Sequence, residues 1–161
     1  MLFDFIIVES CPKIISRSEW RAQQPNCTYH LSTPVTYAVI HHTAGSPCST
    51  RLSCISQVKS IQKYHMTHNR WCDIGYSFLI GGDGNIYEGA GWDNRGTHTA
   101  NYNIEPSMAA QNAAKSLIGC ARSKNKLQSD YVLKGHRDTK TTLCPGDKLY
   151  RIIQSWPNYK A

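Results

Sequence analysis

Seven cysteines, Cys11, Cys27, Cys48, Cys54, Cys72, Cys120 and Cys144, are spread through a chain of 161 residues. That density belongs to an oxidising compartment, where thiols close into disulfides, more than to the cytosol, where they stay reduced. Any fold must therefore bring distant cysteines together. Because seven is odd, one thiol stays unpaired. The length suits one domain, large enough to bury a core without crosslinks or metals being obligatory. Residues 11–161 are read as that domain. Residues 1–10 are read as a clipped leader or an extension, because the apolar run Leu2 to Val8 is short, is interrupted by Asp4 and has no basic residue before it.

Hydrophobic residues make up 40% of the chain and charged residues 18%. These are globular proportions, and no apolar run reaches the length of a bilayer span, so membrane insertion is not expected. The formal net charge of +7 suits acidic partners, either nucleic acid or anionic bacterial wall polymers. Nucleic-acid module signatures are missing and the basic residues are scattered, so no nucleic-acid partner is expected and a wall-facing role is the better use of the charge. Asn26-Cys27-Thr28 fits the N-glycosylation sequon, in keeping with a secreted, extracellular protein.

Val35 to His41 is rich in β-branched and aromatic residues and reads as a strand ending at a histidine pair. From Thr50 to about His65, Leu52, Ile55, Val58, Ile61 and Tyr64 recur at a spacing of three, which predicts a helix. Tyr76 to Ile80 reads as a strand with Tyr76, Phe78 and Ile80 on one face. Gly81-Gly82-Asp83-Gly84 then turns into a hairpin partner at Asn85 to Glu88. Pro106 opens an alanine-rich helix to about Ala121, and Tyr131 to Lys134 makes another strand. Pro145 starts the last helix, with Leu149, Ile152, Ile153 and Trp156 as its apolar stripe. The alternation implies an α/β fold, a mixed central sheet packed by about three helices.

His41 and His136 are each expected directly after a strand, and ligand sites in open α/β sheets sit outside the carboxyl ends of strands. Cys144 lies eight residues beyond His136, and the Cys144-Pro145-Gly146 turn can bring its sulfur back beside that histidine. The three would hold zinc with its fourth tetrahedral position open, the pattern of catalytic rather than structural sites. From spacing alone a second reading stands level with this one: two ordinary strand-end histidines and a cysteine bound in a disulfide.

The runs YAVIHHTAGSPC, QKYHMTHNRWCDIGYSFLIGGDGNIYEGAGW, YVLKGHRDTKTTLCPG and YRIIQSWPNY resemble the animal peptidoglycan recognition proteins, whose fold is shared with phage-type muramoyl amidases. The resemblance runs from about Cys11 to the C-terminus. It implies zinc held by His41, His136 and Cys144, and the presence of Cys144 is what separates enzymes from family members that only bind. It implies that Tyr76 hydrogen-bonds the nucleophile or the developing oxyanion, and that Thr142 helps polarise the scissile carbonyl. The implied reaction is zinc-assisted hydrolysis of the lactyl-amide bond between N-acetylmuramic acid and L-alanine. Bacterial peptidoglycan and muropeptides are the implied partners; nothing in the sequence speaks to oligomeric state.

Substrate contacts implied by the resemblance are His42, Thr43, His65, Arg70, Trp71, Tyr76 and His98. Trp71 leans toward the diaminopimelate type of stem peptide, and Arg70 can pair with that residue's extra carboxylate. The family pattern pairs Cys48 with Cys54, Cys27 with Cys72, and Cys11 with Cys120. Two other functions compete: a non-catalytic peptidoglycan receptor, and a disulfide-stabilised basic protein that is bactericidal by surface binding alone.

One departure from the family stands out. Relatives follow Gly-x-His, here Gly96-Thr97-His98, with a connection and a Ser-x-Gly-Ile strand before the long helix. Here Thr99 to Glu105 leads almost at once to Pro106, so about a dozen or more residues are missing by that comparison. A lost internal strand leaves ladder partners unpaired, a cost on the scale of a domain's whole margin of ~5–15 kcal/mol. The sheet is expected to be one strand short or to have a gap. Restoring a family-type strand after Ala100 should raise the melting temperature; an inserted variant that melts no higher would contradict this reading.

Overall fold

A computed structural model describes residues 11–43, 45–96 and 105–161. The leader reading of residues 1–10, the substrate role of His98 and the shortened segment up to residue 104 lie outside the described residues. In chain order the elements are β1 (Ile14–Ile15), β2 (Val35–Ile40), α1 (Arg51–Thr67), β3 (Phe78–Ile80), β4 (Ile86–Glu88), α2 (Met108–Ser123), β5 (Leu127–Gly135), a 3-10 turn (His136–Asp138) and α3 (Asp147–Ile153). The architecture is α/β, three helices on mixed sheet.

Helix α1 begins at a capping box. The Thr50 side chain accepts from the Ser53 N–H while the Ser53 hydroxyl faces the Thr50 N–H at 3.1 Å, which satisfies two donors that helix ends leave orphaned. Its buried face is Cys54, Val58, Ile61, Gln62 and His65. The stripe expected at a spacing of three does not hold at its ends. Leu52 is 81% and Tyr64 53% exposed, because strict steps of three drift around a helix of 3.6 residues per turn.

The boundaries of four further elements differ from expectation. Helix α2 starts at Met108, not Pro106, because the Ser107 hydroxyl accepts from the Ala110 N–H and caps it. Strand β5 begins at Leu127, four residues before Tyr131. Helix α3 begins after Gly146 and ends at Ile153, so Trp156 lies in the turn beyond it, yet both side chains are buried. Tyr76 and Ser77 precede β3; their carbonyls accept from Ala90 and Gly89. Within β3 the more buried side chain is Leu79, on the face opposite Phe78 and Ile80.

β1 pairs parallel with β4 and β4 antiparallel with β3, while β2 pairs parallel with β5 in a separate ladder. Among the described residues no ladder joins β3 to β2. Between those two edges lies a cavity of about 620 Å³, lined by Ala38 and Ile40 of β2, Phe78 and Ile80 of β3, and Ala114 and Ile118 of α2. The core is divided in the same way. One cluster gathers Ile15, Trp20, Val58, Ile61, Ile74, Leu79 and Tyr87 around α1; the other gathers Ala121, Leu127, Tyr131, Leu133, Ile153 and Trp156 around β5 and α3.

Three disulfides reinforce this arrangement: Cys11–Cys120, Cys27–Cys72 and Cys48–Cys54, with Cα separations of 4.9, 4.9 and 5.0 Å. Cys11 lies three residues before β1 in the first half, and Cys120 adjoins Ala121 of the second core, so this bond ties the halves together. It spans 109 residues, and closing a loop of that order restricts the unfolded chain by up to about 4.7 kcal/mol in the entropic account. Replacing Cys11 and Cys120 together by serine should lower stability by ~2–5 kcal/mol, read as a lower denaturant midpoint; an unchanged midpoint would show that the bond does not brace the fold.

Candidate metal centre

Strands β2 and β5 run parallel in a register that sets Ile40 opposite Gly135. The next residues, His41 and His136, therefore leave the carboxyl ends of neighbouring strands side by side, and their rings lie 4.1 Å apart between centroids. The third group comes from the loop before α3. Its Cys144 carbonyl accepts from the Arg137 N–H at 2.9 Å, and the Leu143 carbonyl accepts from the Gly146 N–H at 2.7 Å, which folds the loop back onto the 3-10 turn. Cys144 Sγ then lies 3.7 Å from His41 Nδ1 and accepts from the His42 N–H at 3.4 Å.

Donor atoms of His41, His136 and Cys144 all lie within 4.8 Å of one another. A tetrahedral zinc with ordinary Zn–N and Zn–S lengths places its ligands roughly 3.3–3.7 Å apart, so a small contraction of the triad fits the ion. The donor set, two imidazoles and one thiolate, is also one that zinc favours. Cys144 is the one free cysteine among the described residues and is fully buried.

Electrostatics suit the same purpose. Burial, with help from Lys140 and His42, holds the His136 imidazole below its ordinary pKa and so in the neutral, metal-binding form. Burial pushes the Cys144 thiol up, against the opposing pull of the His42 N–H, Arg137 and Lys140. A bound cation would displace that proton.

Ring contacts lead away from the triad, one ring to the next. Trp71 lies 4.6 Å from His65, His65 5.6 Å from Tyr76, and Tyr76 6.0 Å edge-on from His41. The His65 ring is fixed by the Gly75 N–H, which donates to its Nδ1 at 2.9 Å. The Tyr76 phenol is buried, which raises its pKa, and donates to the His42 carbonyl at 3.2 Å. His42 is half-buried and Thr43 exposed at the same rim. Arg70 stands exposed one residue before Trp71, with a positive φ of 57°.

Thr142 is half-buried in the loop two residues before Cys144. Its Oγ1 accepts from the Cys144 N–H at 3.2 Å and so props the ligand loop. A second opening of about 510 Å³ reaches His41 and His136 from the other side, past Tyr29, Arg95, Thr139 and Lys140. Sequence reasoning missed these four; for Arg95 and Lys140 the scattered basic charge was the one signal, and for Tyr29 and Thr139 there was none.

Residues 31–147 match the family model described as N-acetylmuramoyl-L-alanine amidase. Peptidoglycan recognition protein 1 of Bos taurus is 43% identical, with 94% of this chain and 88% of the relative covered. Peptidoglycan-recognition protein SC2 of Drosophila melanogaster is 45% identical over 92% and 88%. Among solved structures, bumblebee PGRP-SA superposes with a TM-score of 0.88 at 41% identity, covering 93% of this chain and 98% of that one. PGRP-LE, solved in complex with tracheal cytotoxin, gives 0.87 at 35% identity, covering 91% and 95%. The bovine alignment is 167 positions long, yet 94% of 161 residues is about 151, so about 16 positions have no counterpart here.

The two perturbed ligands give the metal-free protein a pH window. His136 has a folded pKa below its unfolded value, so the unfolded state takes up the proton first and stability falls as pH drops below about 6.5. Cys144 has a folded pKa above its unfolded value, so the unfolded state loses the proton first and stability falls as pH rises above about 8.5. Melting temperatures of metal-free protein should therefore decline on both sides. Cys144→Ser should keep the acid decline and flatten the alkaline one between about pH 8 and 9.5; an unaltered alkaline limb would contradict the assignment.

Proposed function

The chain belongs to the peptidoglycan recognition protein family, and on that premise we propose that it is a secreted, zinc-dependent amidase acting in innate antibacterial defence. It binds bacterial peptidoglycan and muropeptides and hydrolyses the lactyl-amide bond between N-acetylmuramic acid and the L-alanine of the stem peptide. The observation that carries this reading is the convergence of His41, His136 and the unpaired Cys144 within 4.8 Å.

Zinc held by these three residues would supply Lewis acidity and a nucleophile at neutral pH. The chain's own residues do the rest. Tyr76 brings a neutral phenol to the edge of the triad, where its O–H can turn from the His42 carbonyl to the oxygen on which charge develops. Trp71, His65 and Tyr76 supply a line of ring faces along which a stem peptide can lie, and Arg70 offers a guanidinium at its outer end for a diaminopimelate carboxylate. His42 and Thr43 complete the rim, and His98 belongs with them on the family pattern. Thr142 contributes by holding the Cys144 backbone, with carbonyl polarisation as a further role once substrate is present.

Binding without turnover is the competing reading. The ring line supports it, since none of its members except the terminal His41 is part of the triad. Zinc content and hydrolysis of purified muropeptides separate the two. Cys144→Ser should lose stoichiometric zinc and turnover while retaining muropeptide binding. Tyr76→Phe should retain zinc and slow turnover by about 10²-fold, the scale of removing one oxyanion donor. Full hydrolysis by Cys144→Ser would sink the zinc mechanism.

A further inference from the structure

Gly135, His136, Arg137 and Asp138 are consecutive, yet only His136 offers a donor atom to the triad. Asp138 folds back on its own turn: its Oδ2 accepts from the Gly135 N–H at 2.7 Å. The other side of the carboxylate is gripped from a distance in sequence. The Tyr150 hydroxyl of α3 donates to Oδ1, the Tyr159 hydroxyl donates to Oδ2 at 3.2 Å, and the two hydroxyls lie 2.9 Å apart. The Tyr150 ring also packs where a Cβ on Gly135 would stand, 2.9 Å away, so the strand end bearing His136 is pinned from below as well.

Arg137 works on the other partner of the triad. Its backbone N–H donates to the Cys144 carbonyl at 2.9 Å, and its guanidinium donates to the Leu143 carbonyl. The guanidinium also pairs with Asp147 at 2.8 Å and lies 4.5 Å over the Tyr150 ring. One residue therefore binds the loop of Cys144 from both main chain and side chain, while its neighbour locks the turn of His136. Tyr150 touches both. A planar five-donor fork can serve two oxygens and a ring face at once; a lysine ammonium cannot reproduce this.

We infer that Arg137 and Asp138 are positioning residues that hold His136 and Cys144 near each other, their donor atoms within 4.8 Å, before the metal arrives. The inference rests on the zinc reading of the triad. Groups beyond the ligands that fix their orientation typically govern metal affinity by ~10–100-fold, and here the control passes through the backbone of both ligands.

The test is zinc affinity of the metal-free protein, measured by competition with a chromophoric chelator, beside its melting temperature. Asp138→Ala and Arg137→Lys should each weaken zinc binding by ~10–100-fold in protein that remains folded. Should either fail to fold, Tyr150→Phe deletes one hydroxyl while keeping the ring on Gly135, and should weaken zinc in the same direction by less. Cobalt(II) loading gives an independent signature, since a displaced thiolate alters the intensity of the sulfur-to-cobalt charge-transfer band. Zinc binding within twofold of the unaltered protein, with an unchanged cobalt spectrum, would overturn the positioning role while leaving the zinc reading intact. If the unaltered protein itself binds no zinc, both fall together.

Discussion

Most of what this chain can do depends on one register, that of β2 against β5. Parallel pairing places both carboxyl ends at the same edge, and setting Ile40 opposite Gly135 makes His41 and His136 immediate neighbours. A slip of one residue would turn one imidazole to the opposite face of its strand, since side chains alternate. The register is secured by Leu133, fully buried in the second core, and by the Tyr159 and Asn158 contacts that clasp the far side of β5. The site is thus an outcome of core packing two layers below it.

Because the ligands are set by backbone register, the electrostatic cost of the site falls on burial. His136 and Cys144 sit where charge is unfavourable, which keeps one neutral and the other protonated in the absence of a cation. A dication held by His136 and Cys144 would answer both at once, since it binds a neutral imidazole and a deprotonated thiol. Tyr76 shares that dry environment, so its phenol stays a hydrogen-bond donor across the physiological range.

Much of the fold was legible because its elements carry their own local codes. The β-branched run of Val35 to Ile40 and the Asp83-Gly84 turn at the β3–β4 hairpin can be recognised from local residue types, although β2 finds its partner only in β5. What could not be read was what long-range contacts decide. β1 is two residues long, too short for any periodicity, and exists only because β4 accepts it. The true face of α1 follows from which side meets Trp20 and Leu79, so the spacing-of-three stripe misplaced Leu52 and Tyr64. At the site, the candidate ligands came from recognisable motifs, but the contacts of Arg137 and Asp138 were invisible because Tyr150 and Tyr159, which grip Asp138, and Tyr150, which lies under Arg137, come late in the chain. The contact of Thr142 with the Cys144 N–H is likewise a matter of loop geometry that no motif spells out.

Among the described residues no ladder joins β3 to β2, and this bears on how the molecule breathes. In a continuous sheet every strand opens with its neighbours, but here two cores meet along α2 and across an apolar gap. Each half can behave as its own cooperative unit, with amide protons of β1, β3 and β4 exchanging at a different free energy from those of β2 and β5. All three triad residues belong to the second unit, whereas Tyr76, His65 and Trp71 belong to the first. On the proposed zinc reading, slow relative displacement of the units would move the Tyr76 phenol against the triad without parting His41, His136 and Cys144, so holding the ion and doing chemistry on it would answer to separate motions.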